Sequence, residues 1–290
     1  MPGSRLIVSL LLIPGLISGV QAQEATAPLR LVSDLWCPYT CESDDAQRGI
    51  LVDIVEEIFS QHGITISYQV IPWQRAKHSV EAGQADAALG LSKNYSGRML
   101  SNTVPLTHDR TVLIWRKGQG QPYTGTNVLD GKKIGIGYAM MFDEGGELDQ
   151  YIESRLEKHE LISVLYVNKH IEHLLKMLLS GRIDVLLEDL GAVQYQVNQG
   201  GLDELNDGLN SFDISATGKT NGLYVGFTPN AKGRENARIM DEGLLRMKDS
   251  GRLDAIVNSY RSAEQVDLIP LPGSDPGPGD QSNTLIRPDK

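Results

Sequence analysis

The chain reads as an α/β protein built from two similar lobes. Three observations predict this. Strand-like and helix-like segments alternate through most of the sequence, the cycle restarts after the Gly/Pro-rich stretch "GQGQPYTG", and each half carries a copy of one short pattern.

"LRLVSDL" reads as the first strand, and "GILVDIVEEIFSQHG" as an amphipathic helix. Ile50, Leu51, Ile54, Val55, Ile58 and Phe59 form that helix's apolar face, and Gly63 follows as its C′ residue. "ITISYQV" is a second strand, "WQRAKHSVEAG" a second helix, "ADAALGL" a third strand and "RTVLIWRKG" a fourth. The second cycle opens with the strand "KKIGIGY" and continues with a helix in "GGELDQYIESRLEKH" and the strand "LISVLYV". A helix in "HIEHLLKMLLSG", the strand "IDVLLED" and a helix in "GAVQYQVNQ" complete it.

The repeated pattern is "EAGQADAALG" in the first half and "LSGRIDVLLE" in the second. Each reads as a helix end, a Gly (Gly83, Gly181), two residues, an Asp (Asp86, Asp184) and an apolar strand. "DSGRLDAIV" is a partial third copy between helical segments, where Gly-x-x-Asp reads as helix-stop chemistry alone. The tail, residues 265–290, is rich in Pro, Gly and Ser and is expected to be disordered.

The N-terminus has a basic start at Arg5, an apolar run from Leu6 to Ile17 and small residues at Val20 and Ala22. That is the pattern of a cleaved secretory signal over residues 1–22, with cleavage after Ala22. No cysteine sits at the junction to carry a lipid, and no later run is long enough to span a bilayer. An exported, periplasmic chain that is not membrane-embedded is therefore expected. The formal charge is −10, from 27 basic and 37 acidic residues, and loss of the leader removes only Arg5. So acidic a chain disfavours nucleic acid and anionic lipid as partners.

Cys37 and Cys41, the two cysteines of the chain, lie in "WCPYTC". Three residues separate them where dithiol oxidoreductases have two, and Glu42, Asp44 and Asp45 follow, which would raise a thiol pKa. Two cysteines leave a tetrahedral metal site half empty. A disulfide closing a small loop is the favoured reading if the fold brings their Cα atoms within about 7 Å. The six histidines are scattered; His170 and His173 share a helix face that reads as solvated. No Gly-x-Ser-x-Gly elbow, phosphate loop or His-Glu-x-x-His helix is present, and neither metal nor cofactor is expected. Arg98, just past the third strand, suits a ligand carboxylate. Asp189, ending "IDVLLED", suits a ligand ammonium or the cap of the following helix.

With this pairing the chain resembles the extracellular solute-binding proteins of family 3, the polar amino-acid binders of ABC transporters. The resemblance spans roughly Pro28 to Arg261. "WCPYTC…GILVDIVEEIFSQHG" is similar to the family's aromatic-Pro-aromatic segment and next helix, and "PWQRAKHSVEAGQADAALGLS" with Arg98 to its helix, strand and carboxylate-binding Arg. "SGRIDVLLEDLGAVQY" is similar to its Asp-bearing strand, and "NGLYVGFTPNAKGRENARIMDEGLLRMKDSGRLDAIVNSY" to its closing strand and C-terminal helices. The resemblance implies a two-lobed periplasmic-binding-protein type II fold with a hinge and an interlobe cleft. Lobe 1 would comprise residues 28–117 and 222–264, and lobe 2 residues 118–221, with hinges at Lys117–Gly120 and Thr220–Gly222.

The resemblance further implies a monomeric receptor, not an enzyme, for a small polar or zwitterionic ligand, working with an ABC permease or a membrane sensor. Its ligand-binding residues would be Trp36, Tyr39, Ser92, Arg98, Tyr138 and Asp189. Two departures bear on the ligand. The spacing from Gly90 to Arg98 is one residue longer than the family's, and Ala139-Met140 replaces a Gly-Thr whose amides help hold a carboxylate. The alternatives are a lyase similar to cyclohexadienyl dehydratase, with Glu188 or His108 as acid or base, and a stand-alone sensor domain.

Overall fold

The computed structural model describes residues 27–42, 47–94, 97–138, 140–156, 161–165, 169–199 and 211–263. The expected leader (1–22), the whole expected tail (265–290) and Ala139 lie outside the described residues. Among the described residues no helix is long and apolar enough to cross a membrane.

The first sheet begins with β1 (Leu29–Ser33), α1 (Ile50–Ser60), β2 (Ile66–Val70), α2 (Trp73–Glu81) and β3 (Ala87–Ser92). Two short strands, β4 (Leu100–Ser101) and β5 (Thr107–His108), follow. The chain then crosses to a second sheet with β6 (Thr111–Arg116), β7 (Ile134–Gly137), α3 (Glu147–Glu153), β8 (Ile162–Leu165) and α4 (His170–Leu179). β9 (Val185–Asp189), α5 (Leu190–Asn198) and β10 (Phe212–Lys219) complete that lobe. A second crossing leads to β11 (Gly222–Phe227), α6 (Ala231–Asp249) and α7 (Arg252–Ala263).

The first sheet runs β2-β1-β3-β11-β4, with β5 also paired to β11; the second runs β10-β6-β9-β7-β8. In each sheet the βα units give parallel pairs, β1 with β2 and β3, β7 with β8 and β9. A strand from the far side of a crossing adds antiparallel to each: β11 on β3, and β6 on β9.

The repeated pattern forms the same joint in both lobes. Gly83 and Gly181 turn the helix ends at φ 74° and 72°. Asp86 accepts the Arg30 amide at 2.9 Å, and Asp184 accepts the Lys133 amide at 2.9 Å, each fixing a strand to its parallel neighbour. At the third copy Gly251 also has a positive φ, 73°, but α7 follows and no strand. It is a helix stop and nothing more.

α1 buries Ile50, Leu51, Ile54, Val55, Ile58 and Phe59 in the first core. α6 and α7 supply Met240, Leu244, Val257 and Tyr260 to the same core, so the first lobe is discontinuous. Gly243 permits the contact between α6 and α1: a Cβ there would stand 2.5 Å from Ile58 Cγ2. Tyr260 ties the layers by accepting the Gly49 amide at 3.0 Å and donating to Asp53 at 2.7 Å.

One expected boundary is corrected. The strand "RTVLIWRKG" belongs to the second sheet, where Thr111 opposes Asp189 and Trp115 opposes Val185. The first crossing therefore lies at Asp109–Arg110, not Lys117–Gly120. Val112 to Trp115 are all buried, and a strand apolar on both faces suits the middle of either sheet. The second crossing, Thr220–Asn221, falls inside the expected Thr220–Gly222. β10 was not expected; it is an edge strand with one half-exposed face.

Candidate functional site

The two crossings lie side by side and are bonded to each other. Asp109 donates its amide to the Asn221 carbonyl at 3.0 Å. Its carboxyl accepts the Asn221 amide at 2.8 Å and the Asn221 side-chain Nδ2 at 2.9 and 3.0 Å. Both residues are buried, and both line a cavity of about 260 Å³. Its first-lobe wall comes from the segment after β1 (Asp34, Trp36, Thr40), the first turns of α2 (Trp73, Lys77) and the end of β3 (Leu89 to Ser92). The second-lobe wall comes from Tyr138, Met140 and Met141 after β7, Leu165 ending β8, and His170 opening α4. The cavity thus lies between the lobes, where strand ends of α/β sheets collect ligand groups.

The "WCPYTC" loop shapes one side. Cys37 and Cys41 are disulfide-bonded, with Cα atoms 4.8 Å apart. The Trp36 amide donates to the Thr40 carbonyl at 2.7 Å and the Thr40 amide to the Trp36 carbonyl at 3.0 Å, closing the turn. Trp36 packs against the cores of both lobes, and its Nε1–H donates across the cleft to Glu188 Oε1 at 3.1 Å. Glu188, on β9, is fully buried; it also accepts the Asp189 amide at 2.9 Å and the His170 Nε2–H at 3.1 Å. Three further bonds join the lobes: Ser92 Oγ donates to Met141 Sδ at 2.7 Å, the Asn94 side chain donates to the Glu144 carbonyl, and the Gly222 amide donates to Glu144 Oε1 at 3.1 Å.

Burial dominates the electrostatics. It pushes the Asp34 carboxyl above the usual range against the pull of His170. It raises Asp109 well above, assisted by the neighbouring Asp189 charge. Asp189 is pushed up to about 7 by burial, opposed by the amides of Arg110 and Ala192. Burial lowers Lys77. It also acts to lower His170, but the bond to Glu188 and the charges of Glu188 and Asp34 outweigh it, and the net shift is upward. The arrangement can hold a small molecule against polar groups and aromatic faces, and it places at the wall an imidazole backed by the buried Glu188 carboxylate.

The sequence profile of the bacterial extracellular solute-binding proteins, family 3, matches residues 30–263. The chain belongs to that family. Solved structures agree on the fold. A histidine kinase sensor domain with similarity to periplasmic binding proteins superposes with a TM-score of 0.65 at 16% identity, covering 82% of this chain and 97% of the other. An amino acid ABC transporter substrate-binding protein from Streptococcus pneumoniae, bound to L-arginine, gives 0.62 at 18% identity, covering 82% and 95%. An ancestral amino-acid-binding protein, a precursor of cyclohexadienyl dehydratase, gives 0.60 at 14% identity, covering 80% and 94%. Among curated proteins none matches.

Against the residues that the family resemblance implied, the placement is divided. Trp36, Ser92 and Tyr138 line the cavity. Tyr39 does not: it is 0% exposed and stacks on Trp36 with ring centroids 4.4 Å apart, so it supports the indole from the core side. Arg98 does not line the cavity either. Its side chain is 75% exposed, 3.9 Å from Glu81, and its amide donates to Glu81 at 2.8 Å. Asp189 turns to the helix after it, accepting the Ala192 amide at 2.7 Å as the cap of α5 and the Arg110 amide at 2.7 Å. The expected Arg98–Asp189 clamp is therefore not formed. His170, read as solvated, is buried against Glu188.

Asp34, Trp73, Lys77, Asp109 and Asn221 also line the cavity and were not anticipated. Asp34 had a usable signal, since it directly follows the first strand, where a ligand group is expected. Asp109 and Asn221 had none, because their role depends on two segments far apart in sequence.

Proposed function

We propose that the protein is an exported, periplasmic solute receptor that captures a small polar ligand of amino-acid size between its lobes. The observation that supports this most is the cavity itself, walled by both lobes and both crossings. A ligand there touches both lobes, and it favours closure by its preference for the closed form. The closed form is then what a membrane partner recognises. Likeness to an ABC transporter substrate-binding protein supports a permease as that partner, and likeness to a kinase sensor domain supports a signalling receptor. The receptor acts as a monomer, without a cofactor, and Trp36, Ser92 and Tyr138 contact the ligand together with Asp34 and Lys77.

The test is a thermal-shift screen of amino acids, amines and small organic acids at millimolar concentration. A ligand at a hundred times its Kd adds about 2.7 kcal/mol, which raises Tm by several degrees. A screen in which no compound moves Tm would sink the receptor reading. Cell fractionation with mass spectrometry of the mature N-terminus tests export and cleavage after Ala22.

A lyase on the same scaffold is the second reading, favoured by one observation. His170, which lines the cavity, is bonded to the buried carboxylate of Glu188 behind it, 3.1 Å away. Turnover of a prephenate-like substrate, lost in Glu188→Gln, would establish it, and its absence leaves the receptor.

A further inference from the structure

We propose that the interlobe cavity takes an organic cation, a primary amine or a guanidinium, that carries no α-carboxylate; this deepens the receptor reading and rests on it. The cations at the cavity wall give the first argument. A ligand carboxylate in a desolvated cleft calls for a charge-assisted donor, and a guanidinium meets it best. Among the described residues lining the cavity there is no arginine, and Arg98 stands at the surface beside Glu81. The cations present are already engaged. His170 is bonded to Glu188 at 3.1 Å, and Lys77 lies 5.6 Å from the Trp73 ring centroid, in the field of Glu81 and Asp34.

The carboxyls give the second argument. Asp34 and Asp109 both line the cavity. The charges that bear on Asp109 are the acids Asp189 and Glu188, so its own ionisation is opposed on that side. A cation entering the cavity supplies beside Asp109 the positive charge that Asp189 and Glu188 do not, and adds to the pull of His170 and Lys77 on Asp34, so both carboxyls then ionise more readily.

The remaining lining suits the same ligand. The rings of Trp36, Trp73 and Tyr138 reach the cavity, and aromatic faces attract an ammonium or guanidinium most strongly where water is excluded. An α-carboxylate would meet the Asp34 and Asp109 carboxyls, and the one lysine of the lining, Lys77, already lies in the field of Asp34 and Glu81.

Isothermal titration of the full chain with agmatine, putrescine, L-arginine, L-ornithine and succinate tests the assignment, since each amine differs from its amino acid by the carboxylate. The expected result is an amine bound about tenfold tighter than its amino acid, or tighter still. Asp34→Asn should weaken that amine about tenfold, while Arg98→Ala stays within about twofold of wild type. Tighter binding of an amino acid or of succinate, or loss of binding in Arg98→Ala, overturns the cation assignment and leaves the receptor reading intact. Silence across all five probes overturns the assignment, and the broader thermal-shift screen then decides the receptor reading separately. Circular dichroism establishes that Asp34→Asn is folded; if it is not, the amine-to-amino-acid ratio and Arg98→Ala decide.

Discussion

Replacing Glu188 by alanine removes one acceptor group from three donors that are held in place by different parts of the fold. The Trp36 indole N–H comes from the first lobe at 3.1 Å, the His170 imidazole from α4 at 3.1 Å, and the Asp189 amide from β9 at 2.9 Å. Each buried donor left without a partner costs about 1–3 kcal/mol. Removing one member of a buried charge pair costs about 3–5 kcal/mol. The two counts describe one loss and are not added, so Glu188→Ala is expected to lower stability by about 3–5 kcal/mol. Glu188→Gln keeps an acceptor oxygen for the indole and the amide but loses the charge opposite His170, and should cost about 1–3 kcal/mol. Urea unfolding at constant m measures both. A Glu188→Ala midpoint equivalent to a loss under about 1 kcal/mol would refute the bonding scheme. A pH signature accompanies it. His170 holds its proton more tightly folded than unfolded, so that stabilisation is complete below an unfolded pKa of about 6.5 and fades as pH rises through the folded value. Asp189, raised from 3.8 to about 7, has the same sign over a lower window, and because the Glu188 charge contributes to both upward shifts, Glu188→Gln reduces both. The variant should lose the part of the slope that lies above pH of about 6.5.

Asn221→Ala strips the two Nδ2 bonds from the buried Asp109 carboxyl and should cost about 2–4 kcal/mol in a denaturant titration; an unchanged midpoint would show that the crossings are not held by this pair. The variant keeps its backbone amide, so a cost at the low end is the outcome if water reaches Asp109 from the cavity. Joint replacement of Cys37 and Cys41 by serine opens a loop of sequence separation 4, worth about 2 kcal/mol by chain entropy, and calorimetry should record a Tm lower by several degrees. Gly243→Ala sets a Cβ 2.5 Å from Ile58 Cγ2 and should destabilise by about 1–3 kcal/mol; a neutral result would mean that α6 and α1 separate freely.

What the sequence makes legible follows the range of the interactions concerned. α1 was readable because its apolar spacing, the Gly49 before it and the Gly63 after it are local, and Ile50–Ser60 is where the helix forms. The joint at Gly83 and Asp86, repeated at Gly181 and Asp184, was readable for the same reason. The lobe assignment of Thr111–Arg116 was not, because a strand buried on both faces carries no mark of the sheet it enters. The site divides along the same line. The loop holding Trp36 follows the first strand, and its place at the cleft is a consequence of topology. The direction of a side chain is not. The Arg98 guanidinium stands at the surface 3.9 Å from Glu81, and the Asp189 carboxyl caps the open amides of α5, so neither charge is directed by its place at a strand end.

Under the proposed receptor function, Trp36 joins recognition to closure. Its indole sits on Tyr39, which is itself fixed in the first core, and its N–H reaches Glu188 in the second lobe. The bond exists only while the lobes are in contact, and the same ring forms part of the cavity wall. A ligand that rests on the ring therefore meets a surface already oriented by closure, and opening the cleft costs both the ligand contact and the bond to Glu188. The coupling is reciprocal: the factor by which closure raises ligand affinity is the factor by which the ligand raises the closing equilibrium. It follows that Trp36→Phe, which keeps the aromatic face and removes the donor, should weaken binding through the closing equilibrium, whereas Asp34→Asn acts on the ligand itself. A ligand's influence on the lobes is limited to its difference in affinity between the two forms, and this one residue contributes to both sides of that difference.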